Sequence, residues 1–318
     1  MRLCVVVPTM SRPEYLGGLI ASLKDQTVLP DEVVVVDASP SADSRTEEVV
    51  KGASSGTPFE LRYLRSSTAG TSIQRNLGID EANGDYVGLL DDDVRPKVNF
   101  FEVLLDSFAR DREKLIGGIA GYRENLHVPM ESLRRWRWYR RLRLFSTYEP
   151  GRFDWKTGYP INQNLQPPFD GLRDVDFLTT ACALWRRAVF DDGLRFFEGF
   201  GGYGVVEDAH FSLRAGKKWK LKQCGSARCE ELRAPGGRGG RGELGYKKVF
   251  NYRCLFLEAI PSPRASQELR FWLVQSVYLV QLIVGGMVRR DVGMPGELVG
   301  RLRGWWDGLR LRNPPSHG

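Results

Sequence analysis

Three consecutive carboxylates, Asp91-Asp92-Asp93, stand directly after the apolar run Tyr86-Val87-Gly88-Leu89-Leu90. A run of that length reads as a buried strand. Like charges at its end repel one another, so the strand must open onto water, a cation or a polar ligand at that point. A solvated acidic turn meets this requirement, and so does a ligand site. Leu3 to Val7 is another short apolar run, followed by Pro8-Thr9-Met10-Ser11, and Glu32 to Val36 sets four valines behind one acid and ends in Asp37. Phe59 to Leu64 alternates as a further strand. Helical patterns lie between them. One runs from Pro13 to about Gln26, with Ser11 as its N-cap and Pro13 in its first turn. A second is opened by the Ser/Asp-rich stretch Ala38 to Asp43, and a third covers Gly70 to Asn83 with Ile73 and Leu77 on one face. Strands alternating with helical crossovers predict a largely parallel sheet covered on both faces, with right-handed connections.

Open sheets of this kind bind ligands in the crevice outside the carboxyl ends of their strands. Thr9, Asp37 and Asp91 to Asp93 each follow such an end, so three strand ends are expected to converge on one site. The first strand is followed by Pro8-Thr9-Met10-Ser11-Arg12, with neither GxGxxG nor a Walker A loop, which argues against a dinucleotide or P-loop site. A length of 318 residues with 42% hydrophobic content supplies ample core for one large α/β domain or two smaller ones. The net charge of +7 suits an anionic ligand, an acidic membrane surface or nucleic acid without choosing among them. Five scattered cysteines without a repeated CxxC pair argue against a disulfide framework or zinc knuckle and fit a reduced cytosolic setting. One Arg and five apolar residues before Pro8 are too short for a signal-peptide core, so the chain is expected not to be secreted.

Several motifs occur in a fixed order. They are Val5-Val6-Val7-Pro8-Thr9, the valine strand ending in Asp37, Gly70 with Gln74-Arg75-Asn76-Leu77-Gly78, Asn83-Gly84-Asp85-Tyr86 leading into Asp91-Asp92-Asp93, and Glu207-Asp208. This set resembles the family 2 glycosyltransferases of GT-A fold, over roughly residues 1 to 225. The resemblance implies a Rossmann-like, mostly parallel mixed sheet flanked by helices. It also implies an inverting enzyme that moves a sugar from a nucleotide diphosphate donor to an acceptor hydroxyl, usually with Mg or Mn.

In that reading Asp91 and Asp93 form the DxD pair that holds the metal, with Asp93 the most direct ligand and Asp91 or Asp92 nearer the ribose; oxygen ligands are what hard cations prefer. Asp37 resembles the family's base-recognition acid, since a carboxylate accepts a hydrogen bond from a uracil or guanine N–H. Pro8, Thr9 and Arg12 line the same nucleoside pocket. Arg75, in the first turns of a helix whose N-terminus favours anions, approaches the diphosphate or the donor sugar. Glu207-Asp208 follows the glycine-rich turn Gly199 to Gly204; Asp208 is the implied general base, and Glu207 orients it or the acceptor. His210 matches nothing in the motif and reads as a partly exposed helix residue. Many relatives complete the metal site with a His where this chain has Cys229-Glu230-Glu231, and Glu230 is the candidate oxygen ligand there, the alternative being Asp91, Asp93 and donor phosphates alone. Asp37 is followed by Ala38-Ser39 and lacks a second acid, which leaves the base open.

Two further segments invite functional readings. From Leu133 to Phe145, at about 100° per residue, Trp136, Trp138, Tyr139, Leu142 and Phe145 fall on one half of a helix and Arg134, Arg137, Arg140 and Arg141 on the other. That pattern fits an interfacial helix on anionic lipid as well as an aromatic face packed onto the sheet. Phe271 to Met287 is apolar but includes Gln275, Ser276 and Gln281, and reads as a buried or interfacial helix; a span needs about 20 apolar residues. Gly236 to Gly242 reads as a flexible loop able to close over the diphosphate, or as an inert linker.

Together these readings predict a GT-A catalytic domain over residues 1–235, binding nucleotide sugar and acceptor. Residues 236–318 are expected to add a flexible Gly/Arg loop and a helical extension with possible membrane contact. The predicted partners are a UDP-, GDP- or dTDP-linked sugar, a glycan or lipid-linked acceptor in cell-surface polysaccharide assembly, and an anionic membrane surface, but not nucleic acid. The expected location is cytoplasmic, peripheral on the inner face of the cytoplasmic membrane. A sugar nucleotidyltransferase would bring a Gly-rich phosphate loop after the first strand, which is absent. A non-catalytic glycan or nucleotide-sugar binding protein gives no reason for Asp91 to Asp93 and Asp208 together.

Overall fold

The computed structural model describes residues 1–237 and 239–314; Arg238, inside the predicted Gly236–Gly242 loop, and residues 315–318 of the predicted extension lie outside the described residues. The chain opens with β1 (Leu3–Thr9), α1 (Pro13–Lys24), β2 (Glu32–Asp37), α2 (Arg45–Ser54), β3 (Glu60–Arg65), α3 (Thr71–Glu81) and β4 (Tyr86–Leu90). These four strands pair in parallel in the order β3-β2-β1-β4. Next come β5 (Val94–Pro96), α4 (Phe100–Ala109), β6 (Ile116–Arg123), α5 (Arg134–Arg141), the small hairpin β7 (Phe153–Asp154) and β8 (Tyr159–Pro160), and β9 (Leu172–Val175). Then follow β10 (Cys182–Arg186), α6 (Ala188–Asp191), α7 (Glu207–Ala215), β11 (Lys220–Glu231), and three long helices, α8 (Arg241–Ala259), α9 (Ala265–Arg289) and α10 (Met294–Arg310). β10 runs antiparallel between β4 and β6, β11 continues parallel to β6, and β5 and β9 are antiparallel to β11. The sheet is therefore mixed and mostly parallel on its N-terminal side, as predicted.

β1 and β2 are apolar on both faces because each face is covered. Val5, Val7, Val33 and Val35 share one core with Leu16, Leu19 and Leu23 of α1 and Phe101 and Leu104 of α4. Cys4, Val6, Val34 and Val36, pointing the other way, share a second core with Ile79, Trp185 and Phe211. A Cβ on Gly78 would collide with Val6, so the glycine lets α3 lie close against β1.

Two helix starts differ from the predicted ones, each for a local reason. Ser11 adopts a left-handed backbone (φ 53°), and Arg12 takes the N-cap position. Ser11 N–H instead donates to Ser39 Oγ at 2.7 Å, tying the loop after β1 to the loop after β2. The segment 38–43 is not helical, because Asp37 accepts from Ser39 N–H and so holds a turn, and α2 begins only at Arg45.

The C-terminal helices build a third core. Trp136, Tyr139 and Phe145 pack there with Tyr159, Phe256, Phe271 and Val274, while Trp138 and Leu142 remain exposed. The predicted aromatic half of the Leu133–Phe145 segment is thus split between core and solvent. The predicted 271–287 segment belongs to the longer α9, whose Phe271, Val274, Gln275 and Gly286 are buried while Leu273, Val280, Val284 and Met287 are exposed. Among the described residues α9 is the one helix long and apolar enough, by length and composition alone, to cross a membrane.

Candidate active site

The cleft lies at the carboxyl ends of β1 and β4 and is walled by α3, α7 and the end of β11. On one side it is lined by Pro8, Thr9, Arg12, Gln74 and Asp91 to Asp93. On the other it is lined by Arg75, Arg123, Thr180, Glu207, Asp208 and Tyr252. Thr71, Asp91, Tyr203 and Glu231 belong to both sides, so the two halves form one continuous space. The strand-end carboxylates are held by their neighbours. Thr9 Oγ1 donates to Asp92 Oδ2 at 2.7 Å, Arg12 Nη1 to Asp92 Oδ1 at 3.2 Å, and Ala234 N–H to Asp93 Oδ2 at 2.7 Å. Gln74 Nε2 donates to Thr9 O and Val36 O, fixing the ends of β1 and β2 to α3.

Arg75 joins the two acidic groups. Only 2% of its side chain is exposed, and its guanidinium donates to Asp91 Oδ1 at 2.7 Å and Glu207 Oε1 at 3.3 Å. Glu207 and Asp208 occupy the first turn of α7, and the residue before them, Val206, sits in the left-handed region at φ 63°. That conformation is rare for a β-branched residue and marks strain held by its surroundings. Asn251 Nδ2 of α8 donates to Val205 O, and Lys247 Nζ donates to Gly201 O and Tyr203 O, so α8 braces the glycine-rich loop from behind.

Burial and mutual repulsion raise the proton affinity of this cluster. Burial, then the charges of Asp91 and Asp93, pushes Asp92 up to about 6 against the opposing pull of Thr9 and Arg12. Asp93 is also raised, by burial and by Asp91. Glu207 is pushed up to about 8 by burial and by Asp208, with Arg75 opposing, and Asp208 is raised chiefly by burial, with Arg75 and Arg123 opposing. Six carboxylates, Asp91 to Asp93, Glu207, Asp208 and Glu231, thus face three guanidiniums, those of Arg12, Arg75 and Arg123. An all-oxygen donor set with surplus negative charge fits a hard divalent cation. Among the described residues no group of three His, Cys, Asp or Glu side chains gathers closely enough to hold an ion unaided.

Most predicted site residues meet in this cleft: Pro8, Thr9, Arg12, Arg75, Asp91, Asp92, Asp93, Glu207 and Asp208. Three readings need correction. Asp37 does not reach the cleft: it is fully buried and accepts from Ser39 N–H, Ser39 Oγ–H and, at 2.9 Å, Tyr63 O–H. Glu230 points away, toward Lys97 at 2.6 Å, and it is Glu231, one residue on, that faces the cleft and pairs with Arg123 at 2.7 Å. His210 is buried against Phe197 and Phe200. Arg123 and Glu231 were missed although both end strands, the same signal that marked Asp91.

Comparison with known proteins bears on the family and the fold. The family model described as glycosyl transferase family 2 matches residues 4–194. A hyaluronan synthase from Pasteurella multocida is 29% identical over 129 residues, 40% of this chain and 13% of that protein, so the chain spans about an eighth of that relative's length. Among solved structures, S. aureus TarS 1-349 in complex with UDP-GlcNAc superposes with a TM-score of 0.57 at 16% identity, covering 98% of this chain and 81% of that one. The mannosyltransferase PcManGT from Pyrobaculum calidifontis, in complex with GDP-Man and Mn2+, gives 0.56 at 13% identity, covering 96% and 87%. With more than half its length matched by the family model and the same architecture in both structures, the chain belongs to glycosyl transferase family 2 and has the GT-A fold.

Proposed function

We propose that this glycosyltransferase moves a sugar from a nucleoside diphosphate donor to an acceptor hydroxyl with inversion, and that Asp208 is the general base. The observation that carries the reading is the pairing of Asp91 and Glu207 through one buried guanidinium, Arg75, which sets the first turn of α7 opposite the strand-end carboxylates. Inversion by a single displacement needs a base on the acceptor side and a leaving group on the other. Asp208, partly buried and raised, is a stronger base than a free aspartate, and its Oδ1 accepts from Ala209 N–H at 2.7 Å, which fixes its direction. Glu207, held by Arg75, orients the acceptor.

On the donor side Pro8, Thr9, Arg12 and Asp92 border the nucleoside and diphosphate, and Arg75 acts by holding Asp91 and Glu207 in place. Asp91 and Asp93 would hold Mn or Mg, which supplies Lewis-acid stabilisation of the departing diphosphate. UDP-GlcNAc bound to TarS, and GDP-Man with Mn2+ bound to PcManGT, support a UDP- or GDP-linked donor and a divalent metal. The hyaluronan synthase supports a glycan acceptor in surface-polysaccharide assembly.

The test is Asp208→Asn, which keeps shape but cannot take the acceptor's proton. Transfer should fall on the order of 10²- to 10⁴-fold in kcat and kcat/KM together. Donor affinity, measured by calorimetry, should stay near wild type. Near-wild-type transfer would remove Asp208 from the role.

A further inference from the structure

We infer that α9 and α10 present a membrane-binding face that seats the protein on an anionic bilayer, with α9 lying in the headgroup plane. Leu269, Leu273, Val280, Val284, Met287 and Val288 of α9 are all exposed. At about 100° per residue they fall within one stripe, roughly a quarter of the helix circumference. From Phe271 to Val288 the helix carries no charged side chain. Single exposed apolar residues are ordinary, but a stripe running the length of a 25-residue helix is not.

The neighbouring helices extend the face. α10 contacts one flank of α9 through Trp305 on Trp272 and Met294 on Gly286, and it exposes Val299, Leu302, Trp306 and Leu309 at helical spacing. α5 contacts the other flank through Tyr139, whose ring lies tilted 6.1 Å from that of Tyr278 and whose O–H donates to Gln281 Oε1 at 2.7 Å, and Trp138 of α5 and Leu142 just after it are exposed.

Charge selects the occupant. Residues 236–318 contain 13 Lys and Arg against 6 Asp and Glu, which accounts for the whole net charge of the chain. Arg264, Arg270, Arg289 and Arg290 are exposed at the two ends of the α9 stripe, and Arg303 and Arg310 beside that of α10. A second copy would bring two such basic rims together, which repel. An anionic bilayer matches both the apolar stripes and the arginines. α9 lies in the plane and does not span. Its opposite face is committed to the protein through Phe271, Val274 and Gln275, and Gln275 Nε2 donates to Lys248 O, contacts that a spanning helix would lose. α8 separates this face from the cleft: Gly304 of α10 rests on Tyr246, and Tyr252 lines the cleft. An acceptor held at the bilayer surface would thus lie one helix layer from Asp208.

The test is flotation of the full-length protein with vesicles of phosphatidylcholine alone and of phosphatidylcholine with phosphatidylglycerol. Wild type should float with the anionic vesicles, and less in high salt, which screens the arginines. Val280→Glu/Val284→Glu should lower the partition coefficient at least about tenfold while leaving the thermal transition cooperative. Leu273→Gln/Val284→Gln is the milder variant if the first fails to fold. Wild type that ignores anionic vesicles overturns the inference, as does wild-type partition by both variants. Loss confined to Arg137→Glu/Arg141→Glu would move the seat to α5. A dimer seen by light scattering, without vesicle binding and dissociated by the α9 variant, would make a second copy the occupant. None of these outcomes depends on Asp208, whose Asn variant should float like wild type.

Discussion

Arg75→Met tests whether one guanidinium organises both halves of the cleft. The substitution keeps an unbranched apolar side chain and removes the charge, together with the guanidinium's contact over the Phe196 ring at 5.6 Å. Asp91 and Glu207 each lose a partner, at 2.7 and 3.3 Å. Removing one member of a buried ion pair costs about 3–5 kcal/mol. Here the two ends respond differently. The Asp91 side chain is 34% exposed, so water re-solvates it and its share is discounted. The Glu207 side chain is 12% exposed and its proton affinity is already raised to about 8, so without Arg75 it binds a proton more tightly still. An acid whose folded pKa lies above its unfolded value contributes stability at low pH that is lost as pH rises through the folded pKa. In wild type this loss extends from about 4.3 to about 8. In Arg75→Met it should continue above 8, and the stability gap between the proteins should widen there by about 1.4 kcal/mol for each unit by which the Glu207 value rises.

The assay is urea denaturation at pH 6, 8 and 9.5, with Arg75→Lys as the charge-retaining control. The expected gap is about 1 kcal/mol at pH 6, where Glu207 is protonated and only the partly exposed Asp91 loses an ion-pair partner, and it grows by pH 9.5 as Glu207 ionises. Transfer should fall for both variants, because a lysine ammonium cannot bridge two carboxylates as a planar fork does. A gap that is flat with pH, or an Arg75→Met protein as stable as wild type, would refute the idea that Arg75 holds Glu207.

Three further outcomes follow from the same geometry. Asp93→Ala, at a strand end and outside the hydrophobic core, should leave the thermal transition in place but abolish the Mn-dependent part of nucleotide binding measured by calorimetry. Glu231→Gln should impair transfer at least about tenfold because it unpairs Arg123 in the cleft, whereas Glu230→Gln, on an exposed pair with Lys97, should be neutral in stability within about 0.5 kcal/mol and active, as steady-state kinetics and melting of the two variants would show. Val206→Gly relieves a strained left-handed backbone and should hold or raise the melting temperature while lowering kcat, since the turn that aims Glu207 and Asp208 becomes looser; a lower melting temperature with unchanged kcat would contradict this.

The strand framework and the Asp91 to Asp93 end of the site were legible in the sequence because both depend on local pattern. β4 spans Tyr86–Leu90 as read, and β1 and β2 agree within two residues, since continuous apolar runs bounded by turn residues leave little choice once both faces are covered. The misreadings share a different cause: each depends on a partner far along the chain. Asp37 ends its strand as a base-recognition acid would, yet Tyr63 from the adjacent β3 donates to its second oxygen and Ser39 N–H to its first. Glu230 and Glu231 could be assigned to faces only by strand alternation. β11 shifts register against β6 between Gln223 and Arg228, so counting by twos along the strand loses its reference before it reaches them. α5 makes the same point for a helix. Its wheel groups Trp136, Trp138 and Tyr139 on one half, but an eight-residue helix meets its neighbours along a narrow line, and only Trp136 and Tyr139 fall on it. The sequence pattern gives the width of an apolar face, and how much of it is covered is decided by a surface elsewhere in the chain.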